Sequence, residues 1–415
     1  MKLLILTNLY PPQELGGYGR CMADFAWGLQ QRDHHIQVLT SDTAHLGPPS
    51  LEGPSGERVA RDLLLKGSYE GGVKPLADKA AVQSINAANA ATIDELWKSA
   101  GPFDGVLLGN IDLLGVEVLN PLLKHGVPVL HHIGFMNAPF HPQQQPTSRH
   151  YQLVAASRAV SQALRKSGLG NYSKSGVSEI PVVYPGMRSD LFGAAATGRQ
   201  LPSPLDENVK SQPLGSKRHP LKVCFAGLLM GSKGAHTLIQ ALVILKQWGI
   251  VVEGHLAGSN FQSGYREKLE ALLHQHGVDG VRFTGQLNRT SLARCFRLHH
   301  VCVFPSIHPE AFGIVGAEAM ASGLVLVSSG VGGAAELFED KQNGLGFQAG
   351  NAQELAERLN FLCQNPLTLR QLAQNGEKHA RRKLSVAVSA RQLEELLLQK
   401  EPSETNGINS AEVVI

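Results

Sequence analysis

Apolar residues in this chain fall into short runs separated by longer stretches of mixed polarity. Residues 2–7 form one such run, stopped by Asn8 and the prolines at 11 and 12. Residues 18–31 follow Gly16 and Gly17 with apolar side chains at helical spacing, and 36–40 is strand-like again. This opening predicts a βαβ unit. Further strands are expected at 105–108, 127–133, 152–155 and 180–184, with helices at 77–98 and 157–166. Between 193 and 220 the periodicity gives way to Gly, Ala, Ser, Pro and charged residues, the composition of a linker or surface loop.

A second alternation then begins, with strands at 221–226, 251–257, 281–284, 301–304 and 324–328. Helices lie between them at 234–248, 265–276 and 291–298, and three more follow at 352–363, 367–383 and 385–400. Strand and helix in regular alternation imply mostly parallel sheets. The chain therefore divides into a first α/β domain at 1–193, a linker at 194–220 and a second α/β domain at 221–383. A C-terminal helix at 384–400 is placed to pack back on the first domain, and a polar tail at 401–415 has too little apolar content to fold. No repeat of 20–50 residues is present, although the two halves share their alternation.

Composition narrows the partners. With 415 residues, 43% hydrophobic, 18% charged and 44 glycines, the chain reads as a globular α/β protein. A formal charge of only +3, with Lys and Arg dispersed, lacks the basic stripe of a nucleic-acid binder. Five scattered cysteines without a CxxC pair argue against a disulfide framework or zinc site and fit a reducing compartment. The N-terminal run is too short for a signal peptide, and no stretch approaches the ~20 apolar residues that span a bilayer. A cytoplasmic protein is expected, and any membrane contact would be peripheral.

In open parallel sheets ligands bind beyond the carboxyl ends of the strands, so residues just after strands carry the chemistry. The strongest candidate is HPEAFGIVGAEAMASG at 308–323, which follows the strand 301–304 and enters a helix near Gly313. A helix N-terminus offers free N–H groups and about half a positive charge, a seat for phosphate. Glu318 lies more than one turn into that helix among Val315, Ala317, Ala319 and Met320, where a charge needs a partner. Ribose hydroxyls would satisfy it, and so would an internal salt bridge. Glu310, in the loop, would reach a polar group beyond the phosphates.

The second candidate is FAGLLMGSKG at 225–234, again strand, glycine-rich loop and helix. Lys233 stands where the helix dipole disfavours a cation, and an anion beside it would remove the conflict. The spacing is not that of a P-loop. Third is the segment 10–20, in which Gly16 and Gly17 let the backbone approach a ligand. The third glycine of a dinucleotide fingerprint is missing there, which ranks a nicotinamide site below a sugar-nucleotide site. Fourth is His131–His132 at the end of the strand 127–133. Alternation turns one of the two toward the cleft, and we take it to be His132. His34–His35 and His299–His300 fit no metal-ligand spacing.

At these residues the chain resembles glycosyltransferase family 4, the retaining, glycogen-synthase-like GT-B enzymes that use nucleotide sugars. The resemblance covers 10–19 with 38–42, then 155–160, 184–186, 226–242, 281–285, 303–323 and 332–346, and the span 305–323 carries the E-x7-E signature. It implies two Rossmann-like domains facing across a cleft, with the acceptor on the first and the nucleotide sugar on the second. Carried over by position, Lys233 holds the donor diphosphate, Glu318 bonds the ribose and Glu310 contacts the transferred sugar. Phe312, Gly313, Ile314 and Val315 offer backbone amides, Gly16 and Gly17 border the donor phosphates, Gly227 belongs to the donor-binding set, and the region 283–287, ending at Leu287, lies against the base. No metal or bound cofactor is implied.

Two departures stand out. Leu228 occupies a position that is commonly arginine in the family, so Arg20 or a contact made on domain closure would have to substitute. Gly134 falls where many members carry an active-site histidine. The expected reaction moves a hexosyl group to a hydroxyl of a glycan, lipid-linked or small-molecule acceptor, with Lys233, Glu310 and His132 as its catalytic groups. A nucleotide-sugar 2-epimerase of the same fold and a catalytically silent binding module are the alternatives.

Overall fold

A computed structural model describes residues 1–173, 176–193 and 214–399. The sequence-predicted tail and most of the linker lie outside the described residues. Six strands build the first sheet: β1 (Lys2–Leu6), β2 (His35–Ser41), β3 (Arg58–Leu63), β4 (Gly105–Leu108), β5 (Val129–Ile133) and β6 (Tyr151–Ala155). All pair in parallel, in the order β3-β2-β1-β4-β5-β6. The second sheet repeats the plan with β7 (Leu221–Ala226), β8 (Val252–Ala257), β9 (Val281–Gly285), β10 (Val301–Phe304), β11 (Val325–Ser328) and β12 (Leu345–Gly346). Its order is β9-β8-β7-β10-β11-β12.

The central strands show why the runs were unbroken. Leu3, Leu4, Ile5 and Leu6 are all fully buried, as are Val301, Cys302 and Val303, because a parallel sheet covered by helices on both faces needs apolar residues on both. In each sheet the strand order reverses beside the first strand, at β1/β4 and at β7/β10, and ligand crevices open at such switch points.

The helices that matter below are α1 (Tyr18–Gln30), α2 (Arg158–Lys166), α3 (Ala235–Gln247), α4 (Arg289–Arg297), α5 (Ile314–Ala321) and α6 (Val386–Leu398). The last returns to the first sheet. Ala390, Leu393 and Leu397 of α6 share one buried cluster with Leu3, Ile5, Phe25 and Leu107. At Gly28 of α1 an added Cβ would lie 2.5 Å from Val386 Cγ1, so a glycine there is what lets α1 and α6 touch. The Met187 N–H donates to Leu384 O at 2.8 Å, and the Val386 N–H to Met187 O at 3.0 Å.

Three of the differences from the sequence reading concern the strands and ends of the two main sheets. Arg58–Leu63 is a strand, although Arg58, Arg61 and Asp62 leave it no apolar run, and the two-residue strand Leu345–Gly346 is too short to carry a pattern. The stretch 180–184 is not a strand; Pro181 has no N–H to donate. It makes a single parallel bridge at Val182, with the Ala155 N–H donating to Pro181 O and the Val183 N–H to Ala155 O.

Several histidines are buried neutral. Adjacent on β5, His131 and His132 point to opposite sides of the sheet: His131 shares a 2.7 Å hydrogen bond with the Tyr151 hydroxyl, and His132 Nε2–H donates to Val183 O at 2.9 Å. Burial lowers His131 to about 3 and His132, His299 and His300 to about 4.

Two outcomes are expected. Leu393→Ala, which empties a fully buried site between α6 and β1, should cost about 2–5 kcal/mol in chemical denaturation, whereas Leu398→Ala at an exposed position should be near neutral. The histidines set the sign of a pH effect. Above pH 6.5 neither state is charged at these sites, and below it the unfolded chain binds protons that the folded chain excludes until about pH 4. Stability should therefore fall between pH 6.5 and 4 in denaturation midpoints taken across that range, and His132→Gln should flatten the fall.

Candidate active site

A cavity of about 810 Å³ lies between the carboxyl ends of the two sheets and is lined from both. The first domain contributes Glu14 to Gly17, Arg20, Cys21 and Gly134 to Asn137. The second contributes the loops after β7, β8, β9 and β10. Gly16 has φ +73°, in the left-handed region, and an added Cβ on Gly17 would stand 3.8 Å from Ile314 Cγ2. The start of α1 therefore lies beside the start of α5 on the cavity wall, and both helix N-termini bring N–H groups and positive potential to one space.

Close backbone packing shapes the second domain's wall. After β7, the turn Gly231–Lys233 ends at Gly234, whose φ of +70° and whose Cβ position 1.9 Å from Pro305 O leave room only for glycine. That contact brings Lys233 against the loop after β10. Its Nζ donates to Glu310 Oε1 at 2.7 Å and to Oε2 at 2.9 Å, and the Ser306 hydroxyl donates to Oε1 at 2.5 Å. The backbone of Glu310 is fixed on both sides, its N–H donating to Val331 O and its carbonyl accepting from the Gly333 N–H at 2.7 Å. Gly313, at φ +101°, then turns the chain into α5. Phe312 stacks on Tyr184 of the first domain at 5.1 Å.

Beneath the cavity sits a set of buried charges. Arg289, at the start of α4, donates to Asp24 Oδ1 at 2.5 Å and Oδ2 at 3.0 Å, and its Nη2 reaches Glu318 Oε1 at 3.4 Å. Asp24 and Glu318 side chains are 1% and 0% exposed. Burial lifts both carboxyls above the usual range against the opposing pull of Arg289, and the two acids in turn hold the Arg289 guanidinium charged. Glu318 Oε2 has no hydrogen-bond partner among the described residues. Glu14, on the cavity wall, is also raised by burial and has an unpartnered Oε2.

The structure brings together most residues singled out by sequence. Gly16, Gly17, Gly227, Lys233, Leu287, Glu310, Phe312, Gly313, Ile314 and Val315 all line the one cavity. Glu318 is set behind it and joined to it through Arg289, so the internal ion pair weighed for that residue is present. His132 departs from expectation: it is fully buried beneath α1, its ring edge-on to Phe25 at 4.9 Å, and does not line the cavity, whereas Gly134 beyond the strand end does. Alternation fixed that the two histidines diverge but not that helices cover both faces of β5.

Sequence reasoning missed Glu14, Asp24 and Arg289. Arg289 and Glu14 each follow a strand end, the position rule applied elsewhere; Asp24 lies within a helix and gives no local signal. Leu228 lines the cavity, so no cation stands at that position. Among the described residues no cluster of His, Cys, Asp and Glu is arranged to hold a metal, and no helix is long and apolar enough to cross a membrane.

Comparison with known proteins fits this arrangement. Residues 206–379 match the family model described as glycosyl transferases group 1. The D-inositol 3-phosphate glycosyltransferase of Xylanimonas cellulosilytica is 30% identical over 355 residues, 80% of this chain and 79% of that protein. The protein of the same description from Streptomyces scabiei is 26% identical over 384 residues, 85% of this chain and 80% of that one. Among solved structures, Anabaena HepE in complex with UDP and glucose superposes with a TM-score of 0.70 at 21% identity, covering 96% of this chain and 99% of that one. That likeness speaks to the fold alone. Two parallel sheets facing across one cavity, and a relative matched across most of both chains, make this chain a member of the group 1 glycosyltransferases, family 4, with the GT-B fold.

Proposed function

We propose that this glycosyltransferase moves a hexosyl group from a nucleoside diphosphate sugar to a hydroxyl acceptor with retention of anomeric configuration. The observation that carries the reading is the meeting, in one interdomain cavity, of Gly16–Gly17, Lys233, Glu310 and the N-terminus of α5. These groups supply what a diphosphate leaving group needs: a cation, aimed backbone amides and a space that water leaves when the ligand fills it. HepE, of like fold, was crystallised with UDP and with UDP-glucose, which supports a nucleotide-sugar donor.

In this reading the C–O bond between the anomeric carbon and the diphosphate breaks through an oxocarbenium-like transition state. Lys233 and the amides of Phe312 to Val315 stabilise the negative charge that gathers on the departing phosphate, the preorganised electrostatics that usually contributes most to rate. Glu310 orients the sugar by accepting its hydroxyls, a role that its fixed backbone and its bond from Ser306 favour. Glu318 lies behind the cavity wall, so its unpartnered oxygen receives a ribose hydroxyl only once the start of α5 shifts to admit the ligand, while Gly227 borders the donor and Leu287 the base. The acceptor lies against the first domain's wall of Glu14, Phe135, Met136 and Asn137, with its hydroxyl toward the sugar. His132 has no part in the transfer.

The test is calorimetric. Glu318→Ala and Lys233→Ala should each weaken nucleoside diphosphate binding at least about tenfold, the loss expected of one charge-assisted hydrogen bond. Unchanged affinity in both variants would sink the donor site. A screen of nucleotide sugars should show diphosphate release that rises severalfold with the right acceptor, inositol phosphates among those tried. Product formed without any acceptor would point to an epimerase instead.

A further inference from the structure

Three cations line the cavity, and they are not equally available. Lys233 donates to both oxygens of Glu310. Arg289 is bound to both oxygens of Asp24 and extends to Glu318. Arg20, in the first turn of α1, has no ion-pair partner among the described residues, and its Nε is buried without a hydrogen-bond partner. Glu14, Asp24 and Glu318 feel its charge only at a distance. A guanidinium with a buried donor left open, on a cavity wall, is a group that an entering acceptor oxygen would complete.

Its surroundings say which acceptor. Arg20 lines the cavity together with Gly16 and Gly17, and Gly17 lies beside Ile314 at the start of α5, so two helix N-termini and this arginine border one space. Lys233 bounds the same cavity on the other domain but is neutralised by Glu310 until that carboxylate turns to another partner. An anion arriving in the cavity therefore meets at Arg20 a cation that no direct ion pair holds, its charge shared only at longer range with Glu14, Asp24 and Glu318.

We infer that Arg20 anchors the terminal phosphate of the donor diphosphate, and that Lys233 joins it only when Glu310 releases the ammonium to take up the sugar. The inference rests on the donor-site reading above. It makes the phosphate a bridge: Arg20 holds it from the first domain, Lys233 and α5 from the second. Leu228, on the cavity wall beside Gly227, offers a check, because an arginine introduced there puts a replacement cation into the same space.

The experiment titrates wild-type protein with UDP, GDP and ADP, then takes the tightest of these and its monophosphate to Arg20→Ala, Arg20→Lys and Arg20→Ala/Leu228→Arg. If wild-type protein binds none of the diphosphates, the donor-site reading itself fails. If it binds one, Arg20→Ala should weaken the diphosphate about 10- to 100-fold and the monophosphate less than about threefold, the scale of one charge-assisted hydrogen bond. Arg20→Lys should retain most of the affinity, and Leu228→Arg should return at least about tenfold of it. Diphosphate affinity unchanged in Arg20→Ala, or equal losses for diphosphate and monophosphate, would overturn the assignment, since a merely structural role would not separate the two ligands.

Discussion

Arg289 is the charge on which the two domains agree. Asp24 on α1 and Glu318 on α5 are both removed from water, and an unpaired ion in such a place costs several kcal/mol. Neither helix supplies the other's counter-charge. The guanidinium at the start of α4 serves both, with two bonds to Asp24 across the domain boundary and a longer one to Glu318 within its own domain. Arg188 adds a second cation 3.8 Å from Asp24 and lies over the Trp27 ring at 3.9 Å. The cavity is built directly above this cluster, so its depth and its floor follow from where the ion pairs had to be.

A second bridge flanks the cavity on the side of α2. Glu336 of the second domain accepts from the Arg158 and Ala159 N–H groups, both at 3.0 Å, and from the Tyr184 hydroxyl at 2.9 Å. A carboxylate at a helix N-terminus satisfies orphan donors and meets the favourable end of the dipole. Tyr184 in turn stacks on Phe312, two residues before α5. The two domains are thus tied by these polar bridges and by an apolar seam as well, in which Met187 and Phe192 of the first share a buried cluster with Leu292, Phe296 and Met320 of the second. Lys233 already holds Glu310 before any ligand arrives, so at that pair ligand binding becomes an exchange of partners, whereas Arg20 Nε and Glu14 Oε2 stand open.

Much of this was legible in the chain. Unbroken apolar runs marked nearly all the buried parallel strands, and glycines after strands marked the loops that approach one another most closely. At Gly234 and Gly313 the reason is a positive φ, and a carbonyl or ring where a side chain would be. Glu318 and Lys233 could be picked out because each breaks a local rule, a charge on an apolar helix or a cation at a helix start, and Glu310 because it stands in the loop between a strand end and a helix start. What local rules cannot reach is a partner far away in sequence. Asp24 lies 265 positions from Arg289, and Glu336 lies 178 from Arg158. His132 failed for a related reason, since the alternation of a strand says which residues part company but not what covers each face.

The central claim is that the interdomain cavity receives the diphosphate of a nucleotide sugar by exchanging the Lys233–Glu310 pair for ligand contacts. A crystal structure of the chain with a bound nucleoside diphosphate sugar measures this most directly. The account predicts phosphate oxygens at hydrogen-bond distance from Lys233 Nζ and the amides at the start of α5, with Glu310 turned to the sugar and Glu318 at the ribose. A nucleotide bound elsewhere, or one seated in the cavity with Lys233 still paired to Glu310, would contradict it.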